Sequence, residues 1–366
     1  MISDETHPPP PQSEMTDTAW LGTACPRPSE THRNAAEARQ NTLTKPPGSL
    51  GALERIAIQL AALQETERPC ADNVQIVLFA GDHGVTAQGI SAFPSAVTVE
   101  MLRNFASGGA AISVLARKLD ARLEVVDAGT LATSEVAGVV TDKPCHGTRD
   151  FATTPAMTPD ETAFAFDTGR RAVARTVDRG AHLLIFGEMG IGNTTSAAAV
   201  AAALLGKAAN DLVGAGTGLD SDGIRHKARV IDAALDLHGL KAPDVPAADV
   251  LMKVGGLEIA ALAGAIVAAA QSRIPVLVDG FIVTAAALAA TRLNPSCADW
   301  LIYSHRSSEQ GHRLILEALD AEPLLDLKMR LGEGSGAAVA LSVVRLACAL
   351  HGEMATFAEA HVSESL

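Results

Sequence analysis

Five apolar runs along this chain stop abruptly at a polar turn, and that recurrence constrains the fold more than any other feature. Residues 74–80 end in Gly81-Asp82-His83-Gly84, 123–126 in Asp127-Ala128-Gly129-Thr130, 182–186 in Gly187-Glu188-Met189-Gly190, 274–278 in Asp279-Gly280 and 301–303 in Ser304-His305. Such short continuous runs suit strands covered on both faces, the condition of a parallel sheet. Between them lie longer apolar segments at 109–118, 160–179, 194–204, 225–237, 255–270 and 283–292, read as helices. Strand, turn and helix in repetition define an α/β chain with an open parallel sheet flanked by helices. Ligands of such sheets sit outside the carboxyl ends of the strands, so the polar turns are expected along one edge. Any one acidic turn residue reads first as a helix cap. Five or six on the same edge are harder to explain that way.

The alternation occupies residues 69–307, expected to form a large α/β domain. Residues 31–68 and 308–360 look helical throughout and are expected to pack together as a smaller helical domain, with a Pro-rich, loosely attached or disordered arm at 1–30. A chain of 366 residues with 48% hydrophobic but only 3% aromatic content favours close packing of helix on sheet through small side chains. The net charge of -13 argues against a duplex nucleic-acid partner, which needs a basic surface. Five scattered cysteines without a CxxC pair suit a reduced, cytoplasmic protein and suggest neither a disulfide framework nor a zinc site. The acidic N-terminus lacks the basic segment and apolar run of a secretory signal. The stretches 257–270 and 274–290, interrupted by Glu258 and Asp279, read as buried elements and not as membrane spans.

The turn from Gly187 to Thr195 carries the strongest chemical signal. Three glycines follow a strand, and Asn193, Thr194 and Thr195 open a helix, an arrangement that presents backbone amides to a single phosphate, as in a mononucleotide. It matches neither a Walker loop nor a dinucleotide fingerprint. Residues 213–218, with Gly216, form another flexible turn, and Lys227 offers a point charge to an anion or is simply a solvated helix residue. Asp82-His83 reads as an acid–base pair or as a cap beside a packed histidine; no nucleophile elbow accompanies it and no second ligand stands at metal spacing. Phe93 and Met101 read as core or as walls for a flat aromatic ligand. Ser304-His305-Arg306-Ser307-Ser308 offers hydroxyls and a guanidinium as a second phosphate clamp. In 329–336 one carboxylate, Glu333, sits between glycines ahead of an apolar helix from 337 to about 350.

Taken together, KPPGSLGALE (45–54), AGDHGV (80–85), GEMGIGNTT (187–195), KVGGLEIAALAGA (253–265), PVLVDGF (275–281), the serines and histidine of 304–307 and RLGEGSGAA (330–338) resemble the nicotinate-nucleotide:dimethylbenzimidazole phosphoribosyltransferase family. The resemblance runs in order from about residue 30 to 355. It implies a Rossmann-like parallel sheet with a small helical domain, a homodimer, and transfer of the 5-phosphoribosyl group of nicotinate mononucleotide to 5,6-dimethylbenzimidazole without metal or cofactor. It places the catalytic base at Glu333 and substrate contacts at Glu188, Gly190, Asn193, Thr194, Gly216, Lys227, Asp279, Ser304 and Ser307, with Phe93 and Met101 beside the base pocket. At those last two positions some relatives are more polar, which bears on which base is preferred.

The chemistry fits one base. The pyridine nitrogen of nicotinate mononucleotide is quaternary, so nicotinate leaves without a general acid. Glu333, its pKa raised by an apolar pocket, would take the imidazole N–H proton while the other ring nitrogen attacks C1′ from the opposite face, inverting β to α. A carboxylate such as Glu188 would steady the oxocarbenium-like transition state. Two other readings are a related transferase with another base or a phenol as acceptor, and a nucleotide-sensing module that has lost the chemistry.

Overall fold

A computed structural model describes residues 17–363 with the exception of Thr217. Six strands form one sheet: β1 (Val74–Gly81), β2 (Arg122–Gly129), β3 (Val140–Thr141), β4 (Leu183–Met189), β5 (Val276–Val278) and β6 (Leu301–Tyr303). Their order is β3-β2-β1-β4-β5-β6, and every pairing is parallel. The expected open α/β sheet is therefore what forms. All eight residues of β1 are buried, as its unbroken apolar run requires. Only the two-residue β3 escaped the sequence reading, because two residues leave no periodicity to detect.

Alternate residues of each strand feed two apolar layers. Val77, Phe79, Leu184 and Phe186 join one layer, under helices Pro159–Val177, Asn193–Leu205, Leu257–Gln271 and Phe281–Leu293. Ile76, Leu78, Ala80 and Ile185 join the other, under Ala52–Gln64, Ala96–Ser107, Ala111–Lys118 and Ser335–Glu353. Small side chains decide how near the helices come. A Cβ added to Gly169 would strike the carbonyl of Ala261, and one added to Gly264 the carbonyl of Phe166, so Pro159–Val177 and Leu257–Gln271 touch through their backbones. Bulkier residues would force this crossing apart.

Ile56 and Leu60 from the N-terminal part and Leu341 and Val344 from the C-terminal part share one core cluster with strand residues Ile76, Leu78 and Ile185. Residues 308–360 are not helical throughout. Past Pro323, which cannot continue a helix, the chain runs extended beside β6. Leu324 donates its amide to the Tyr303 carbonyl, Leu325 to Ser304, Arg306 to Leu325 and Ser308 to Met329.

The expected loose arm is also corrected over part of its length. Trp300 Nε1 donates to the Pro26 carbonyl and Cys25 N to Ser296 Oγ, while Asn294 and Gln271 side-chain amides hold the carbonyls of Leu21, Trp20 and Thr23. Leu21 and Cys25 are buried. Residues 1–16 of that arm lie outside the described residues. Among the described residues one helix, Ser335–Glu353, is long and apolar enough to cross a membrane; Ala337, Ala340, Leu341 and Val344 on it are buried in the core cluster they share with the sheet.

Candidate active site

Strands β1 and β4 are neighbours although β2 and β3 separate them in sequence, so the direction of winding reverses between them. On the β4 side of that reversal, at the carboxyl ends of the strands, lies a cavity of about 330 Å³. The end of β4 supplies Glu188, the turn after it Gly190, and the start of the next helix Asn193 and Thr194; the turn after β5 supplies Asp279, the turn after β6 Ser307, and the glycine loop Glu333. Phe93, Met101 and Gly216 complete the walls named from sequence. Lys227 and Ser304 do not line the cavity, and both are fully buried behind it.

One end is acidic. Glu333 adopts a left-handed backbone (φ 63°) between Gly332 (89°) and Gly334 (83°), a conformation that costs a residue with a side chain roughly 1–2 kcal/mol. The glycines allow contact between two carboxylate-bearing segments: a Cβ on Gly332 would run into the Glu188 carboxylate, and one on Gly187 into the Glu333 carbonyl. Glu333 Oε2 accepts the Ile112 amide at 3.1 Å, near the start of helix Ala111–Lys118. Its pKa is raised by burial and further by Asp279, while the Ile112 amide works against the shift. Burial, then the charges of Asp279 and Glu258, pushes Glu188 up to about 8, although the Asn193 amide and the Glu333 backbone oppose this. In the protein on its own, Glu188 therefore holds its proton more readily than an ordinary glutamate. Low solvation among like charges is the reason, and a cation placed beside it would favour ionisation. Asp279 Oδ1 accepts the Ala337 amide at 2.8 Å and so caps the helix that follows Glu333.

The other end is cationic. Lys227 Nζ donates to Thr194 Oγ1 at 2.7 Å, and Arg330 Nη1 donates to the Gly216 carbonyl at 2.9 Å. Burial pulls Lys227 down to about 8, with Glu309 drawing it the other way. Several backbone amides expected to cradle a phosphate are already engaged: Ile191 with Thr98 Oγ1, Asn193 with Gly190 and Thr195 with Gly192. Side chains consequently contribute more to this end than the glycine pattern suggested. The guanidinium of the second clamp also differs, since Arg306 is exposed and away from the cavity whereas Arg330 lines it. Arg330 stands directly before Leu331-Gly332-Glu333, and that adjacency was the available signal. Glu309 lines the cavity too, and only its place two residues after Ser307 hinted at it.

The remaining polar turns are structural. Asp82 Oδ2 accepts the Leu131 amide, and Asp127 accepts the amides of Gly129 and Thr130 together with Lys143 Nζ. His83 lies between Glu258 Oε1 (2.7 Å) and Ser196 Oγ (2.8 Å), all three buried behind Gly190. Sequence distance, with His83 and Glu258 175 positions apart, kept this group from being read in advance.

An open parallel sheet whose edge carries a cavity cationic at one end and acidic at the other defines a nucleotide-handling enzyme of the α/β class. A family model described as "Phosphoribosyltransferase" matches residues 25–362, and the chain belongs to that family. It is 65% identical over 344 residues to the nicotinate-nucleotide–dimethylbenzimidazole phosphoribosyltransferase of Bradyrhizobium sp. strain BTAi1, covering 94% of this chain and 98% of that protein. It is 56% identical to the protein of the same description from Pseudomonas aeruginosa, with equal coverage. The crystal structure of the corresponding Thermus thermophilus protein superposes with a TM-score of 0.87 at 42% identity, over 92% of this chain and 100% of that one.

Proposed function

We propose that this protein transfers the 5-phosphoribosyl group of nicotinate mononucleotide to 5,6-dimethylbenzimidazole, inverting C1′ and giving α-ribazole 5′-phosphate and nicotinate, in assembly of the lower nucleotide of cobalamin. The bipolar cavity carries this reading. The donor has a phosphate at one end and a pyridinium-bearing C1′ at the other; Lys227, Thr194 and Arg330 suit the first, Glu188, Asp279 and Glu333 the second. Arg330 and Glu333 are three residues apart, which limits their Cα separation to roughly 11 Å. Phe93 and Met101 give the acceptor ring an apolar wall.

Glu333 accepts the acceptor's N–H proton as the other ring nitrogen bonds to C1′; the C1′–pyridinium bond breaks and its electron pair leaves with nicotinate. Glu188, ionised by the arriving pyridinium, faces the positive charge developing on the ribose. The enzyme acts in the cytoplasm as a homodimer without cofactor, and the helices within residues 31–68 and 308–360 make up its smaller domain, packed on the sheet. Mixing the protein with nicotinate mononucleotide and dimethylbenzimidazole should release nicotinate in step with α-ribazole phosphate. Tight nucleotide binding with no release, whichever base is offered, would favour the sensing module. The Lys227→Met variant should bind nicotinate mononucleotide at least about tenfold more weakly, through loss of the positive charge behind Thr194 and of the hydrogen bond that orients the Thr194 hydroxyl. Titration calorimetry measures this, and an unchanged dissociation constant would remove Lys227 from the phosphate end.

A further inference from the structure

His312 is fully buried, lies outside the cavity lining, and has no part in the chemistry above. Its hydrogen bonds nevertheless run in one direction. Ser307 donates its backbone amide to His312 Nδ1 at 2.8 Å. An amide can only donate, so Nδ1 carries the lone pair and the ring proton is on Nε2. Nε2–H then donates to Thr284 Oγ1 at 2.9 Å, and the Thr284 hydroxyl donates to the Asp279 carbonyl at 3.2 Å. Ser307 and Asp279 both line the cavity, and the Asp279 carboxylate caps the helix beginning beside Glu333. One imidazole thus spans the turns after β5 and β6 and reaches the glycine loop through Asp279.

We propose that His312 is a positioning residue for the nucleotide cavity, fixing the Ser307 turn against the Asp279 turn through its Nε2–H tautomer and Thr284. The charged and titratable groups acting on it are His305, Asp279 and Arg306. Burial, aided by His305, holds its pKa down to about 3, so the tautomer persists across the working pH range. A protonated ring would turn an N–H toward the Ser307 N–H and break the link. A merely structural histidine would affect folding stability alone; a positioning one must also affect how well the cavity holds its ligand.

The inference rests on the nucleotide-transferase reading, and the wild-type protein separates the two. Absence of nicotinate release from wild type would sink that reading, while calorimetric binding of nicotinate mononucleotide would still decide the role of His312. Three variants are compared for Tm, kcat and the KM for nicotinate mononucleotide. His312→Leu removes both bonds and should raise KM about tenfold, with kcat changed much less. His312→Asn keeps an acceptor for the Ser307 amide and should recover most of that loss. Thr284→Val leaves the Ser307 bond intact, cuts the connection to Asp279, and should raise KM at least about threefold. Should His312→Leu fail to fold, Thr284→Val decides the matter. A lowered Tm with wild-type KM in the foldable variants, or an Asn variant no better than Leu, overturns the assignment.

Discussion

Replacing Glu333 by Gln should lower kcat by at least about a hundredfold, within the ~10²–10⁴ range of general-base catalysis, while nucleotide affinity stays close to wild type. Gln fits the same space, can still accept the Ile112 amide, and keeps the helix capped through Asp279. It cannot take a proton. Single-turnover measurement of nicotinate release, beside calorimetric nucleotide binding, separates the two effects. Near-normal turnover would strip Glu333 of the base role and make its left-handed backbone a feature of the loop alone. The raised pKa of Glu333 adds a second signature: the acid limb of the kcat/KM profile should lie above that of an ordinary glutamate.

The second large effect concerns stability, and it has a definite sign. Glu188 has its pKa raised from 4.5 to about 8 in the folded protein. Between those values the folded state holds a proton that the unfolded state releases. Its contribution is fully present below about 4.5 and is lost as pH rises through 8. The slope is about 1.4 kcal/mol per pH unit, so the whole window amounts to several kcal/mol. Glu188→Gln cannot ionise, and its stability relative to wild type should climb from about pH 5 to about pH 9 and then level off. Denaturant titrations across that range test this. Parallel curves for the two proteins would mean that Glu188 is already charged before nucleotide binds. Nicotinate mononucleotide should flatten the wild-type dependence, because its pyridinium favours the ionised carboxylate.

How much was legible differs from element to element. The strands could be read because burial on both faces makes their sequence continuously apolar, and the turns because glycine and acids interrupt that run. Glu333 could be read only as a carboxylate between glycines; that it meets Glu188 needs the contact between Gly332 and the end of β4, which no local pattern contains. The extended passage after Pro323 was hidden because its partners, Tyr303 to Ser308, belong to another strand's edge. Arg306 and Arg330 are equal as letters and both exposed, and only folding places Arg330 at the cavity wall.

The sequence by itself determined the α/β class and the edge on which the polar turns gather, since both follow from short-range periodicity, whereas Glu188 and Glu333 were singled out from other turn acids only through the family resemblance. The tertiary structure alone decided the partners of these acids and the direction in which their pKa values move. Burial beside Asp279 and Glu258 raises the pKa of Glu188, burial behind Thr194 weakens the basicity of Lys227, and a histidine five residues after Ser307 becomes the pin between two turns. Those properties depend on solvent exclusion and on groups brought together from distant parts of the chain, and neither exists before the sheet and its two helical layers close.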